Sequence, residues 1–180
     1  MKTSGIKGLL RYNDLNRPLI TVLAVSYNHA DYLEKALNSV VDFNYPNIQL
    51  IITDDCSSDD SQTRIKEWID SNKVNCVYNP HNENIGLCAT INEHLPMVAG
   101  KYLQFLACDD YHMPNKLELQ SKIMDSNDSY GLVCGNFKSV DKNGAEISPR
   151  YFSENHAFPE NTFEAILNGH SDKGIVVHSP

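Results

Sequence analysis

The sequence predicts an α/β fold in which a mostly parallel sheet carries helices on both faces. Short apolar runs rich in β-branched residues alternate with longer segments whose apolar residues recur at helical spacing. Such alternation is typical of parallel strands joined by crossover helices. Because ligands of these sheets bind beyond the carboxyl ends of the strands, the polar residues that follow each strand are the candidate site.

The first strand and the first helix show both patterns clearly. Residues 19–26, LITVLAVS, form a nearly unbroken apolar run, which predicts a buried strand. Residues 30–41 place Leu33, Leu37 and Val40 on one helical face. The alternation continues and predicts strands at 48–53, 74–78, 102–108 and 131–136, and helices at 61–72, 87–98 and from Pro114 to about 126.

The two ends of the chain carry weaker signals. Residues 1–17 are polar and lack the apolar stretch of a signal peptide, so we predict a flexible N-terminal arm before one domain at 18–180. The Asn143-Gly144 pair predicts a hairpin within 137–147. Beyond it we expect a short helix at 163–167 and a strand at 175–178.

Composition restricts the partners of this protein. Lys plus Arg is 15 and Asp plus Glu is 23, and a formal net charge of -8 argues against a nucleic-acid partner. The 5 cysteines lack CxxC or zinc spacing, so we expect reduced thiols in a cytoplasmic protein. No apolar run reaches the roughly 18 residues of a membrane span, so we predict no transmembrane helix.

An acidic pair follows the predicted strand at 102–108. The adjacent carboxylates of Asp109 and Asp110 repel each other, and a divalent cation such as Mn²⁺ or Mg²⁺ would offset that repulsion. A helix N-cap before Pro114 would explain the same pair. Spacing alone leaves both interpretations open.

Polar residues also follow the other strands. The carboxylates of Asp54 and Asp55 could accept hydrogen bonds from a base or a ribose, although a helix cap near 57–59 is the alternative. Tyr27 offers a ring face for stacking on a base, but a tyrosine at a strand end is more often core or rim. Asn84-Ile85-Gly86 precedes a predicted helix and could present backbone N–H groups to a phosphate.

Several other kinds of site find little support. Asp109 would raise the thiol pKa of Cys108, which argues against a cysteine nucleophile, and a GxSxG elbow is missing. The chain also lacks GxGxxG and GxxxxGK[ST], the phosphate-binding loops of dinucleotide and P-loop folds. Among the histidines only His112 lies close to the acidic pair, and we expect it on the surface rather than as a ligand.

The ordered blocks resemble glycosyltransferase family 2, whose members have the GT-A fold, a Rossmann-like arrangement of nucleotide-diphospho-sugar transferases. The resemblance covers residues 18–122. It consists of VLAVSYNHADYLEKALNSV, YPNIQLIITDDCSSDD, NIGLCATIN and GKYLQFLACDDYHMPNKLELQ. It implies transfer of a sugar from a nucleoside-diphosphate donor, most often a UDP-sugar, to a hydroxyl of a saccharide or lipid-linked acceptor in polysaccharide or glycoconjugate synthesis.

The resemblance also implies roles for donor-binding residues. Val25, Ser26 and Tyr27 would line the base pocket, with Tyr27 against the ring. Asp55 would accept a hydrogen bond from the base, and Asn84 would lie in the donor-binding loop.

The acidic pair occupies the place of the family's DxD-type motif. The resemblance implies that Asp110 is a metal ligand and that Asp109 binds the metal or the donor's ribose or sugar. The divalent cation, Mn²⁺ or Mg²⁺, would bridge the diphosphate and stabilise the leaving nucleoside diphosphate.

Four features depart from the family pattern. Ala107 stands where many members have a further Asp, Ile91 where many have Arg, and Cys56 where many have Gly. The catalytic base is expected beyond Pro180, in the acceptor half. We therefore expect a fragment that binds donor and metal, with membrane association only through segments outside it.

Two other classes of function remain open at this point. A nucleotidyltransferase-like domain would need a Gly-rich basic loop after the first strand, and residues 26–29, SYNH, do not provide one. A non-catalytic nucleotide-binding module would bind nucleotide without a metal requirement.

Overall fold

A computed structural model describes residues 6–42 and 45–148 and has a mixed α/β fold. Contacts divide the chain into two compact units, Met1–Gly131 and Leu132–Pro180. The described part of the first unit contains strands β1 Leu9–Tyr12, β2 Ile20–Ser26, β3 Asn47–Asp54, β4 Val77–Pro80 and β5 Tyr102–Ala107, and helices α1 Leu33–Val41, α2 Ser61–Asn72, α3 Leu87–His94 and α4 Lys116–Ser126.

Strand β2 lies in the middle of the sheet. It pairs in parallel with β3 on one side and with β5 on the other. The outer edge of β3 is shared by two short strands, with β4 parallel along its second half and β1 antiparallel along its first. Because Ser26 pairs with Asp54 and Val25 with Ala107, the long strands end at the same edge of the sheet.

The core lies on both faces of this sheet, as the alternation of strands and helices predicts. Every residue of β2 and β3 is buried, which is usual for parallel strands covered on both sides. Val22 and Ala24 of β2 pack in a cluster that contains residues of α1, α2 and α4, whereas Leu23 and Val25 pack in a second cluster with Ile91 of α3. The predicted apolar face of α1 is confirmed.

The element boundaries differ from the prediction in several places. Strand β4 begins at Val77 rather than 74, and α3 ends at His94, where a 3₁₀ turn at Leu95–Met97 accommodates Pro96. Helix α4 begins at Lys116. Among the described helices, none combines the length and the apolar character that a membrane span requires.

The predicted loose arm is wrong for part of its length, because residues 9–12 form strand β1 at the sheet edge. Pairing with β3 holds this strand, and the fully buried side chain of Asn47 holds the residues that follow it. Its Oδ1 accepts from the backbone N–H groups of Asn13 and Asp14, and its Nδ2 donates to the carbonyls of Asp14 and Arg17. One side chain of β3 thus replaces four water contacts of this segment.

After α4, the strand predicted at 131–136 is absent from the structure, whereas the predicted hairpin is present. Residues 131–136 form no strand, and two glycines in this short run weaken its strand preference. The predicted hairpin is confirmed, with β6 Ser139–Val140 antiparallel to β7 Glu146–Ser148 and Asp141 Oδ1 accepting from Asn143 and Ala145 N–H. The helix predicted at 163–167 and the strand at 175–178 lie outside the described residues.

Gln49 is a polar residue in the middle of the apolar core. It is 1 % exposed, and its amide makes four hydrogen bonds. Oε1 accepts from Thr21 Oγ1 at 2.6 Å and from Ala99 N at 2.9 Å. Nε2 donates to the carbonyls of Lys7 and Met97, both at 2.9 Å. Gln49 therefore ties β2, the N-terminal segment and the turn before β5 together.

Replacing Gln49 tests this network. Gln49→Leu keeps the volume but takes the acceptor away from the Thr21 hydroxyl hydrogen and the Ala99 N–H, so we expect the free energy of unfolding to fall by about 3 kcal/mol. Urea denaturation measures it. Gln62→Leu is the matched control, because Gln62 makes one long bond of 3.5 Å. A loss below about 1 kcal/mol for Gln49→Leu would contradict this role.

The loop after β3 explains one departure from the family pattern. Cys56 has φ +61°, a left-handed conformation that glycine adopts without the clash of a β carbon. The glycine that the family resemblance implies at this position would suit this backbone better.

Cys56→Gly should therefore stabilise the chain by about 0.5 kcal/mol, because the relief of left-handed strain slightly exceeds the extra chain entropy of glycine. Cys56→Ala is the control, since it removes the thiol but keeps the β carbon. Thermal unfolding compares them, and equal melting temperatures for both variants would argue against strain at this position.

Candidate functional site

Three polar segments meet at the carboxyl edge of the parallel strands. The backbone N–H of Asp55 donates to Ser26 O, and that of Cys108 donates to Val25 O, each at 2.9 Å. The residues that follow β2, β3 and β5 therefore continue the register of the sheet for one more step. This brings the segments that carry Tyr27, Asp55 and Asp109 to one edge, as the sequence predicts.

The turn after β2 is held by the loop before α2. Asn28 N donates to Ser57 Oγ at 2.8 Å, and His29 N donates to Ser61 Oγ at 3.0 Å. Asn28 Oδ1 in turn accepts from Ser58 N at 2.8 Å. The turn is thus fixed through its backbone, while the Tyr27 side of it stays open, since this residue is 46 % exposed. Its ring is available to a planar ligand.

Val25 and Ser26 lie deeper than the predicted pocket lining. Both are buried, and the hydroxyl Oγ of Ser26 has no hydrogen-bond partner in the described part of the chain. They support the turn from beneath, and a direct contact between either side chain and a ligand stays a prediction.

The two aspartates after β3 have different surroundings. Asp54 is fully buried, and its carboxylate accepts from Ser57 N at 2.9 Å and from Ser57 Oγ at 2.6 Å. Asp54 therefore holds the loop before α2, but it is not the helix cap that was the alternative, because α2 begins at Ser61 and Asp60 is its N-cap residue. Asp55 points elsewhere and is held by residues that follow β4.

Asp55 is the most strongly bound carboxylate of the edge. Oδ1 accepts from His81 Nδ1 and Ile85 N, and Oδ2 accepts from Gly86 N, all at 2.9 Å. Burial opposes ionisation, but these hydrogen bonds outweigh it and hold the pKa of Asp55 below its usual value. A negative charge here also suits the N-terminus of α3, which begins at Leu87, directly after Gly86.

The backbone N–H groups that were predicted to face a phosphate, in the Asn84-Ile85-Gly86 segment, already have an acceptor. The backbone N–H groups of Ile85 and Gly86 donate to Asp55, and Gly86 N is shared with Asn84 Oδ1 at 3.1 Å. A phosphate would have to compete with that carboxylate for them. Gly86 has φ +81°, which explains the glycine. A donor contact from Asn84 stays a prediction.

The acidic pair lies beyond β5, with a histidine that sequence reasoning missed. The carboxylate of Asp109 is 52 % exposed, and its Oδ2 lies 3.7 Å from His29 Nε2. Asp110 N donates to Ala107 O at 2.9 Å. Over residues 6–42 and 45–148, no group of three or more His, Cys, Asp or Glu side chains is arranged to hold a metal. The pairing of β2 with β5 is the signal that could have placed His29 near Asp109.

Two predictions about neighbours of the pair are settled by burial. His112 is 1 % exposed rather than on the surface, and burial lowers its pKa to about 3, so its ring is neutral. Cys108 is fully buried, and burial, reinforced by Asp109, raises its thiol pKa, which is unfavourable for a nucleophile. None of the 5 cysteines, all within the described residues, forms a disulfide.

Two curated relatives are similar over much of the chain. TuaG of Bacillus subtilis, whose name assigns it to teichuronic acid biosynthesis, is 36 % identical over 110 residues, which cover 60 % of this chain and 42 % of TuaG. WfgD of Escherichia coli, a UDP-Glc:alpha-D-GlcNAc-diphosphoundecaprenol beta-1,3-glucosyltransferase, is 28 % identical over 140 residues, 76 % of this chain and 54 % of WfgD.

A solved structure confirms the fold. The mannosyltransferase PcManGT from Pyrobaculum calidifontis, in complex with GDP-Man and Mn²⁺, superposes with a TM-score of 0.57 at 19 % identity, covering 64 % of this chain and 34 % of PcManGT. The curated relatives are longer, since the chain spans 18 % of a Rickettsia bellii glycosyltransferase and 54 % of WfgD.

The family assignment follows from the match along the chain. A family model described as Glycosyl transferase family 2 covers residues 21–177, and its match includes β2, β3, β5 and the polar segments that follow them. The strands of the protein have the arrangement that the resemblance implies, and the fold is GT-A. This chain belongs to glycosyltransferase family 2.

Proposed function

We propose that the protein transfers a sugar from a nucleoside-diphosphate sugar, a UDP-sugar, to a hydroxyl group of a saccharide or lipid-linked acceptor. One observation carries the proposal. An exposed aromatic ring, a buried carboxylate and an acidic pair follow three strands that end at one edge of the sheet. In this proposal residues 18–180 belong to one GT-A domain whose donor-binding half is the described sheet.

The base would bind between the turn after β2 and the loop before α3. Tyr27 supplies the exposed ring face, and stacking of a base on an aromatic ring contributes about 1–3 kcal/mol. Asp55 supplies an ionised acceptor for a ring N–H. The base would therefore be recognised by one face and one edge.

The donor set of the acidic pair fits a divalent cation. Carboxylate oxygens are ligands that Mg²⁺ and Mn²⁺ prefer, and such ions are often held by one or two carboxylates together with substrate phosphates. Asp110 and Asp109 would hold the ion in this proposal. When bound, it would neutralise charge on the diphosphate as the nucleoside diphosphate leaves. A complex of PcManGT contains Mn²⁺, which supports the choice of ion.

The reaction balances without a redox partner. The acceptor oxygen forms a bond to the anomeric carbon, the bond from that carbon to the diphosphate oxygen breaks, and the bonding pair leaves with the diphosphate. The acceptor proton passes to a general base. We assign no base among the described residues and propose that it lies beyond Pro180.

The names of two relatives support a proposal for the cellular setting. The name of TuaG assigns it to teichuronic acid biosynthesis, and the name of WfgD gives a diphosphoundecaprenol-linked acceptor. We propose a cytoplasmic protein that meets its acceptor at the membrane surface, with any membrane attachment supplied by segments beyond these residues.

Calorimetric titration of UDP tests the donor site. With Mn²⁺ present we expect binding that EDTA abolishes, and Asp110→Ala should weaken it at least about tenfold, because the cation loses a ligand. Asp70→Ala, an exposed aspartate of α2, is the matched control and should leave affinity unchanged. Binding that persists in EDTA would indicate a non-catalytic module instead. If UDP, GDP and dTDP are all silent, the donor-site proposal is wrong.

Substitution of Tyr27 tests the stacking platform. Tyr27→Ala should weaken UDP binding about tenfold through loss of the ring face, whereas Tyr27→Phe should keep it within about threefold. Tyr32→Ala removes another exposed ring, 41 % accessible, and serves as the control. Equal affinities for the alanine and phenylalanine variants of Tyr27 would rule out stacking.

A further inference from the structure

We propose that His81 is a positioning residue that fixes the Asp55 carboxylate and thereby sets which bases the donor site accepts. The inference rests on the proposed function, because it concerns the base of the donor. Neither the sequence patterns nor the family resemblance singled out this histidine.

Sheet geometry places His81 beside Asp55. Strand β4 pairs with β3 so that Pro80 lies opposite Asp54, and His81 N donates to Asp54 O at 2.8 Å. The next residue on each strand is therefore His81 and Asp55. Their side chains meet with Nδ1 2.9 Å from Oδ1, and these side chains are only 8 % and 4 % exposed. The contact is thus shielded from water.

The direction of this hydrogen bond follows from the other partners of Asp55. Its carboxylate already accepts from two backbone N–H groups, those of Ile85 and Gly86, which favours the ionised form, and the lowered pKa of Asp55 agrees with this. An ionised carboxylate has no hydrogen to donate, so the hydrogen lies on His81 Nδ1. The imidazole is the donor.

The far side of the His81 ring faces α3. Nε2 lies 3.4 Å from Glu93 Oε2 but makes no hydrogen bond within the described residues, whereas Glu93 Oε1 accepts from Asn79 Nδ2 at 3.0 Å. The ring also stacks on His94, with centroids 6.2 Å apart. His94 is itself fixed, since its Nδ1 lies 2.7 Å from Thr90 O. The ring of His81 thus lies between Asp55 and side chains of α3.

These contacts leave the Asp55 carboxylate with few free acceptor positions. A carboxylate offers about four lone-pair positions. Oδ1 of Asp55 receives hydrogen bonds from His81 and Ile85, and Oδ2 receives one from Gly86, so the remaining position is on Oδ2. With 4 % of the side chain exposed, that single point suits one N–H rather than a pair of ribose hydroxyls.

Such a site discriminates between bases by hydrogen-bond polarity. Uracil, thymine and guanine present a ring N–H at the relevant edge, whereas cytosine presents an unprotonated ring nitrogen that would face the carboxylate lone pair. Without His81, Oδ1 regains a free position and the carboxylate can turn. We therefore expect His81 to act on base selectivity more than on affinity in general.

The test compares UDP with CDP by calorimetry in Mn²⁺. For the wild-type chain we expect UDP to bind at least about thirtyfold more tightly, the range of one hydrogen bond to a charged group. His81→Leu should reduce this ratio about tenfold, and His81→Asn, whose Nδ2–H can replace Nδ1–H, should restore it to within about threefold. Glu83→Gln, an exposed change in the same loop, is the control.

A second readout needs no nucleotide. Amide hydrogen exchange of Ile85 and Gly86 should speed up about tenfold in His81→Leu and return toward wild type in His81→Asn. His81→Ala repeats the comparison without added bulk if the leucine variant does not fold. A purely structural role would weaken UDP and CDP equally in His81→Leu, without rescue by asparagine.

The outcomes separate the two proposals. An unchanged UDP/CDP ratio together with unchanged exchange in the His81 variants would overturn the role of His81. If the wild-type chain binds no nucleotide, the donor-site proposal fails, and the selectivity role of His81 fails with it. The exchange rates then decide only whether His81 positions Asp55 and its loop.

Discussion

The parallel pairing of β2 with β3 on one side and with β5 on the other determines where every candidate residue lies. The pairing continues one residue beyond the strands through the N–H groups of Asp55 and Cys108, which donate to carbonyls of β2. The three polar segments therefore begin at the same level of the sheet. Since both faces of β2 and β3 are covered, the edge at their carboxyl ends is where polar residues of these segments can reach a ligand.

A conflict between two demands is visible at Asp55. In the proposed donor site, recognition of a base would require free acceptor positions, whereas a carboxylate that is 4 % exposed needs donors to offset the loss of water. The structure meets most of the second demand with His81 and the backbone of Ile85 and Gly86. One lone-pair position, on Oδ2 of Asp55, remains for a ligand. The same bonds hold the loop before α3, so the order of this loop and, in the proposed donor site, recognition of the base depend on one side chain.

At the opposite end of the strands, two buried side-chain amides hold neighbouring segments by hydrogen bonds. Asn47 and Gln49 lie within an otherwise apolar strand, and each amide is satisfied by groups distant in sequence. An unpaired amide at either position would cost about 1–3 kcal/mol. Their partners include the N-terminal segment and the turn before β5. These two residues therefore order peptide segments that have little apolar pattern of their own.

Local patterns were enough to predict the alternation of strands and helices, the limits of α2 and the hairpin around Asn143-Gly144, because apolar periodicity and turn preference depend on neighbours in the chain. They also located the polar segments after β2, β3 and β5. Strand β1 and the irregular run at 131–136 were mispredicted, since a short strand forms only where another segment offers hydrogen bonds. Strand register and donors from distant loops decided what the sequence did not predict. They give Asp54 and Asp55 different partners, bring His29 near Asp109, bury His112 and place His81 against Asp55. Residue type reveals which chemistry is possible, but only packing fixes which lone pairs are already occupied.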